Sequence, residues 1–353
     1  MGHARIATLE ELRRHLQGAI ALEHATMPPY LCALYSIKPG TNLDAVEILT
    51  SVFVEEMLHM TLAANLLNAV GGTPRIAHRG FVPNYPTSLP YSDASFLIPL
   101  ARFSRESVAT FMRIERPEAT DAPAQADGFE TIGQFYQAIG LALGERCEEM
   151  GESNVFSGDP RRQVTPECFA YGAPETVVPV YDLASALRAV NEIEQQGEGL
   201  QHAEVWDGDH DMFHPERDEV AHYFRFEQLL RGRRYQRGDT PLSGPTGAII
   251  DIDWDTVHPM ADNPRLSDHA PECDVRQRAQ DFQRNYSRTL RLLDETFNGA
   301  PHRIDDAISL MMGVRDVVRV LMTTRCVNGS INPGPVFEYL DHESSSAVLE
   351  RQG

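Results

Sequence analysis

The sequence feature that most constrains the fold is a Glu-x-x-His motif inside one long predicted helix. The run from Leu43 to Val70 has apolar residues at three- and four-residue spacing, which is typical of a helix with one buried face. Glu56 lies on that apolar face, and His59 follows it about 60° around the helix. Because an unpartnered buried charge costs several kcal/mol, a compensating group is needed. A divalent metal ion is one such group, and a separate salt bridge is the other.

The first helix is predicted to bury another carboxylate. Thr8-Leu9-Glu10-Glu11 is a capping box that starts this helix at about residue 8, and the apolar stripe that follows includes Glu23. We expect Pro28-Pro29 to break or kink the helix directly after Glu23, before a further helical segment that reaches Ile37. Glu23 is therefore a second candidate ligand.

Two later helices carry the remaining candidates. The third bundle helix, over residues 183–202, has Glu194 and Glu198 four residues apart on its apolar face, and either could be the ligand. The fourth, over residues 215–234, begins with proline at a tolerated first position and contains a second Glu-x-x-His motif. The members of that motif are Glu219 and His222.

The order of these helices predicts an all-α, ferritin-like four-helix bundle. The first two helices cover about 8–37 and 43–70, and a crossover of about a hundred residues, 73–180, separates the second from the third. We expect additional helices within the crossover, and two more at 274–323 as a C-terminal extension. No hinge-like linker interrupts the chain, so the prediction is a single domain over 1–353.

Two helices with single glutamates and two with Glu-x-x-His motifs are the ligand set of a dinuclear carboxylate centre. The predicted metal ligands are Glu23, Glu56, His59, Glu198 (or Glu194), Glu219 and His222. Four carboxylates balance the charge of two divalent ions. Iron is the expected metal, with manganese or a mixed manganese–iron pair as the alternatives. Glu55 and Glu227 fall on other faces and are assigned to the surface or to supporting contacts around the ligands.

The loop between the last two bundle helices resembles the start of a calcium-binding loop. Asp207-Gly208-Asp209-His210-Asp211 has alternating acidic residues, but Met212 replaces the glycine at the sixth position and Asp218 the glutamate at the twelfth. We therefore expect a solvated acidic loop here, with a lid over the site as the alternative.

Charge and cysteine content exclude several partners. Acidic residues outnumber basic ones 51 to 31, and the net charge of −20 would repel nucleic acid and anionic membranes. No apolar run reaches the roughly eighteen residues of a membrane helix. The five cysteines are scattered, without a Cys-x-x-Cys pair, which favours a reducing cytoplasm. A homo-oligomer is compatible with all of this.

Several segments in a fixed order also carry a family resemblance. They are Leu22-Glu23-His24-Ala25-Thr26-Met27-Pro28-Pro29-Tyr30, Glu55-Glu56-Met57-Leu58-His59, Ile114-Glu115-Arg116-Pro117, Gln196-Gly197-Glu198-Gly199, Glu219-Val220-Ala221-His222-Tyr223-Phe224-Arg225-Phe226, His258-Pro259-Met260 and Gly334-Pro335-Val336-Phe337-Glu338. In them the chain resembles ferritin-like proteins related to the iminophenylpyruvate dimer synthase of violacein biosynthesis. The resemblance implies a metal-binding bundle, often encoded in natural-product pathways, and favours Glu198 over Glu194.

The leading functional hypothesis is a non-haem di-iron oxidase or oxygenase that acts on a small, amino-acid-derived metabolite with O₂. No Cys₄ rubredoxin module is present, so electrons would come from a separate donor or from the substrate. One alternative is a non-redox, imine-coupling enzyme of the dimer-synthase kind. The other is a non-enzymatic, iron-binding ferritin-like protein.

Overall fold

The computed structural model describes residues 5–119, 121–169, 176–199, 204–271, 273–324 and 332–341, without the side chain of Glu198. The helices are α1 Leu9–Ser36, α2 Leu43–Ala69, α3 Arg105–Ile114, α4 Ile132–Met150, α5 Glu152–Val155, α6 Leu183–Glu198, α7 His222–Arg231, α8 Asp274–Phe297 and α9 Ile304–Thr323. Short 3₁₀ turns lie at Pro160–Arg162, Pro166–Cys168, Leu266–Asp268 and Pro301–Arg303. The only strands among the described residues are β1 Trp206–His210 and β2 Asp218–Val220. The predicted mostly helical class is confirmed.

The first two helices, α1 and α2, pack against each other along their lengths. The predicted capping box is present, because the Thr8 side chain accepts from the Glu11 backbone and the Glu11 side chain accepts from the Thr8 backbone. Of the two outcomes predicted at Pro28-Pro29, the break is wrong, since α1 continues through both prolines to Ser36, and the kink stays a prediction. Proline at position 29 removes the amide that would bond the Ala25 carbonyl, and the Tyr85 hydroxyl donates to that carbonyl instead, at 2.8 Å.

The crossover between α2 and α6 folds back onto the bundle. Ser104 and Thr131 cap α3 and α4, each in a capping box. Helix α3 packs on α7, and α4 packs on α6 and α1. The crossover therefore adds helices to the bundle, and it places the end of α3 beside the bundle interior.

The fourth predicted helix is wrong in its first part. Residues 206–220 form an antiparallel β-hairpin, β1 with β2, and α7 begins only at His222. The acidic segment from Asp207 is therefore largely strand and not the expected loop. Asp207 is buried there, and its carboxylate contacts the Arg225 guanidinium at 2.8 Å. This ion pair joins β1 to the first turn of α7.

The C-terminal helices α8 and α9 pack against each other and also contact α2 and α1. They confirm the predicted helices within 274–323. None of the described helices is long and apolar enough to cross a membrane. The single-domain assignment over 1–353 stays a prediction.

Candidate metal centre

Five acidic and histidine side chains meet in the interior of the bundle. They form two groups, and in each group one potential ligand atom per residue lies within 4.8 Å of the others. The first group is Glu23, Glu56 and His59, and the second is Glu56, Glu115 and His222. All five side chains are buried. Each group has the donor set of a divalent metal site, and Glu56 belongs to both.

Each carboxylate is held by one hydroxyl group. Oε1 of Glu23 accepts from Tyr136, Oε2 of Glu56 accepts from Thr26, and Oε1 of Glu115 accepts from Tyr30. The other oxygen of each carboxylate therefore faces the histidines. These hydroxyls restrict the carboxylates to one orientation, as outer hydrogen bonds do around metal ligands.

The orientation of His59 is fixed by Gln196 on α6. The amide nitrogen of Gln196 donates to the carboxyl groups of Glu192 and Asp209, at 3.0 and 2.7 Å. Its carbonyl oxygen then accepts from Nε2 of His59 at 2.8 Å. A neutral imidazole that donates through Nε2 has its lone pair on Nδ1. Burial is the main reason that the pKa of His59 falls to about 3, so the ring is neutral.

The lone pair of His59 therefore faces carboxyl oxygens of Glu23 and Glu56. Nδ1 lies 3.8 Å from Oε2 of Glu23 and 3.9 Å from Oε1 of Glu56, which is beyond hydrogen-bond distance. Burial, followed by the neighbouring carboxylates, raises the pKa of both Glu23 and Glu56. A raised pKa shows that their negative charges lack a counter-charge, and a cation between these three potential ligand atoms would supply one.

His222 is oriented by Glu55, which precedes Glu56 on α2. Nε2 of His222 lies 2.9 Å from Oε2 of Glu55. Nδ1 forms no hydrogen bond within the described part of the chain, although Oε1 of Glu56 lies 3.0 Å away and Oε2 of Glu115 lies 3.6 Å away. Burial opposes a charge on this ring, but the carboxylates of Glu115, Glu55 and Glu56 outweigh it and raise the pKa of His222 well above its ordinary value. This end of the centre attracts positive charge.

A buried arginine keeps Glu55 charged. The guanidinium of Arg225 contacts both oxygens of Glu55, at 2.7 and 2.8 Å. Burial alone would raise the pKa of Glu55, but Arg225 and His222 together outweigh burial and lower this pKa to about 2. Glu55 is thus a supporting carboxylate for a candidate histidine ligand, one of the two roles that the sequence assigned to it.

The sequence-predicted ligands divide into three sets. Glu23, Glu56, His59 and His222 come together in the centre. Glu219 does not join them, because it lies in β2 and its carboxylate pairs with Arg225 at 3.0 Å. The side chain of Glu198 lies outside the described residues. Glu194, the alternative on α6, lines a small cavity beside Glu23 and His59.

Glu115 is the candidate ligand that sequence reasoning missed. It is the C-cap residue of α3, in the crossover, and its side chain is buried. A signal was present, because Glu115 continues the buried stripe of Val108 and Phe111 at helical spacing. The predicted two-by-two pattern takes its ligands from the four bundle helices alone, whereas Glu115 lies at the end of a crossover helix.

Buried carboxylates and histidines on packed helices define the ferritin-like class of helical bundles. The chain belongs to the Ferritin-like family, which matches residues 16–231, more than half of its length. The predicted ferritin-like fold and the family resemblance are both confirmed.

Three known proteins are similar to this chain. Dichlorochromopyrrolate synthase of Lentzea aerocolonigenes is 25% identical over 94% of the chain, which spans 36% of that enzyme. The 2-imino-3-(indol-3-yl)propanoate dimerase of Chromobacterium violaceum is 28% identical over 56% of the chain, which spans 22% of it. A crystal structure of a ferritin-like protein from Caulobacter vibrioides aligns with a TM-score of 0.58 and 20% identity, covering 89% of this chain and 98% of that one. This last likeness shows the fold alone.

Proposed function

We propose that the chain binds two divalent metal ions, most consistent with iron, and uses them to oxidise a small metabolite with O₂. One ion would take Glu23 and His59, and the other Glu115 and His222. The observation that carries the proposal is the position of Glu56, whose Oε1 faces Nδ1 of both histidines. A shared carboxylate between two buried ligand groups is the arrangement of a dinuclear centre.

Hydrogen bonds within the chain hold the ligand side chains in place without a bound metal. Tyr136, Thr26 and Tyr30 hold the carboxylates, while Gln196 and Glu55 hold the histidines. Burial excludes bulk water, so charges in the centre interact strongly. When bound, a pair of ferrous ions supplies two electrons for the reduction of O₂. The substrate or a separate donor returns them.

A second candidate function is non-redox coupling of imines. The names of two relatives, a dichlorochromopyrrolate synthase and a 2-imino-3-(indol-3-yl)propanoate dimerase, favour it. The chain spans only about a third or less of each, so their activities do not transfer as whole reactions. A storage protein is less favoured, because the long crossover and the helices α8 and α9 enlarge the subunit beyond a compact cage-forming bundle.

We also propose the domain organisation, the compartment and the partners of the chain. The chain acts as a single domain, and its scattered cysteines favour the cytoplasm. Small-molecule metabolites are the class of substrate that the names of the relatives describe. O₂ and an electron donor are the partners that the oxidase mechanism requires.

Anaerobic titration with ferrous iron tests the proposal directly. We expect about two ions per chain, one for each ligand group, followed by O₂ consumption that rises when a substrate is present. The measurement combines equilibrium dialysis with an oxygen electrode. Two tightly bound ions without O₂ uptake would favour the coupling enzyme, and loading far beyond two ions would favour storage. The absence of tight metal binding would refute every proposed function that depends on a metal ion.

Replacing Gln196 tests whether its hydrogen bond orients His59 for metal binding. We expect Gln196→Leu to weaken metal binding at the Glu23–His59 position by about 10- to 100-fold, because His59 loses the contact that orients its ring. Isothermal titration with manganese measures this change. Gln195→Leu is the matched control, since Gln195 is the preceding, partly exposed residue of the same helix. Equal affinities in the two variants would show that Gln196 does not position His59.

A further inference from the structure

A second cavity lies next to the candidate metal centre, and Ile132 stands between the two. The central cavity measures only about 20 Å³, enough for a water-sized occupant. The neighbouring cavity, here called the outer chamber, measures about 300 Å³, the lower end of the range for small-molecule sites. It is lined by Leu89, Ser92, Asp93, Ser95, Phe96, Arg113, Ile114, Arg116, Phe129, Glu130 and Ile132.

The outer chamber and the central cavity have a common wall. Ile132, the first residue of α4, lines both cavities. Glu115 lines the central cavity, while its two neighbours Ile114 and Arg116 line the outer chamber. Among the described residues, the larger cavities of about 790, 780 and 510 Å³ share no lining residue with the central one. The outer chamber therefore adjoins the central cavity at Ile132.

The floor of the outer chamber is apolar and aromatic. Leu89, Ile114 and Phe129 are buried, and Ile132 is partly buried beside them. Phe96 adds a second ring. Such a floor binds a hydrocarbon or aromatic side chain, because contact with it removes apolar surface from water.

The rim of the outer chamber carries charges of both signs. Arg113, Arg116, Asp93 and Glu130 are all exposed. Arg116 lies 3.4 Å from Glu130, and the Arg113 guanidinium stacks 4.1 Å from the centre of the Phe96 ring. Two positive and two negative groups at one rim match a ligand that itself carries both charges, whereas a plain carboxylate would meet two like charges.

We propose that the outer chamber binds a free α-amino acid with an apolar or aromatic side chain. The arginines hold its carboxylate, Asp93 and Glu130 hold its ammonium group, and its side chain rests on the apolar floor against Ile132. This inference rests on the proposed function and names its substrate class. The charged head remains at the rim, so the side chain is the part nearest to the centre.

Ligand binding measured by calorimetry tests the charge pattern. The probes are L-phenylalanine, 3-phenylpropanoate, which lacks the ammonium group, and 2-phenylethylamine, which lacks the carboxylate. We expect the affinity for L-phenylalanine to be at least about tenfold higher than for either other probe. Each lost charge-assisted contact lowers the affinity by about a factor of ten or more. Equal binding of all three probes, or no binding of L-phenylalanine, would overturn the proposal.

Arginine variants locate that binding. We expect Arg113→Ala combined with Arg116→Ala to reduce the affinity for L-phenylalanine about tenfold or more. Arg105→Ala is the matched control, because Arg105 is exposed on the same helix but stacks over Trp254, outside the chamber. A similar loss in the control, or none in the double variant, would place the ligand elsewhere.

The common wall is tested with cobalt and a chelator. We expect Ile132→Ala to release Co²⁺ from the centre to EDTA several-fold faster than the wild type, with Ile132→Leu unchanged because it preserves the side-chain volume. Unchanged release of Co²⁺ in Ile132→Ala would show that Ile132 does not separate the centre from the outer chamber. Amino acid binding without any cobalt binding would refute the proposed function alone, whereas cobalt binding without amino acid binding would refute the outer chamber alone.

Discussion

Glu56→Gln is expected to abolish binding of both metal ions, whereas Glu23→Gln or Glu115→Gln should each weaken only one. Glu56 is the residue that both ligand groups share, and its Oε1 faces both histidines. Gln keeps the shape and can still accept from Thr26, but it supplies no negative charge to a cation. Metal analysis of dialysed, cobalt-loaded protein measures the stoichiometry.

The same substitution should stabilise the metal-free protein. Burial and the Glu115 carboxylate raise the pKa of Glu56, so its charged form opposes folding at neutral pH, above the pKa of the unfolded chain. We therefore expect a higher Tm for metal-free Glu56→Gln than for the metal-free wild type. Glu227→Gln is the control, because Glu227 is also buried but bonds Tyr235 outside both groups. Retention of two ions by Glu56→Gln would contradict the shared-ligand arrangement.

Arg225→Leu is expected to lower the free energy of unfolding by about 3–5 kcal/mol, the usual cost of removing one partner from a buried ion pair. Arg225 is buried, and its guanidinium lies within 3.0 Å of the carboxylates of Glu55, Asp207 and Glu219. Leucine would leave these groups buried without their counter-charge. Urea denaturation of the metal-free protein at neutral pH measures the change.

Arg231→Leu provides the comparison on the same helix. The Arg231 side chain is 66% exposed and contacts Glu227 at 3.3 Å. Exposed pairs of this kind contribute at most about 1 kcal/mol. If Arg225→Leu were no less stable than Arg231→Leu, the cluster around Arg225 would not be a stabilising element of the hairpin and α7.

Local sequence determined which residues could enter the centre. The three- and four-residue spacing of apolar side chains predicted that Glu23 and Glu56 face inward, and both are buried. Capping boxes at Thr8, Ser104 and Thr131 correspond to helix starts in the structure. These features depend on residues within one or two turns of each other, so a single sequence contains them.

Tertiary structure decided which of the candidates come together. Glu219 follows the predicted spacing, but it lies in a hairpin instead of a helix, and its carboxylate pairs with Arg225. Glu115 reaches His222 from the crossover because α3 packs on α7, more than a hundred residues later in the chain. A helical pattern fixes only the face on which a side chain lies. Contacts between elements distant in sequence fix whether that side chain pairs with an arginine, as Glu219 does, or lies beside a histidine, as Glu115 does. The free energies of those contacts decide which of the two arrangements forms.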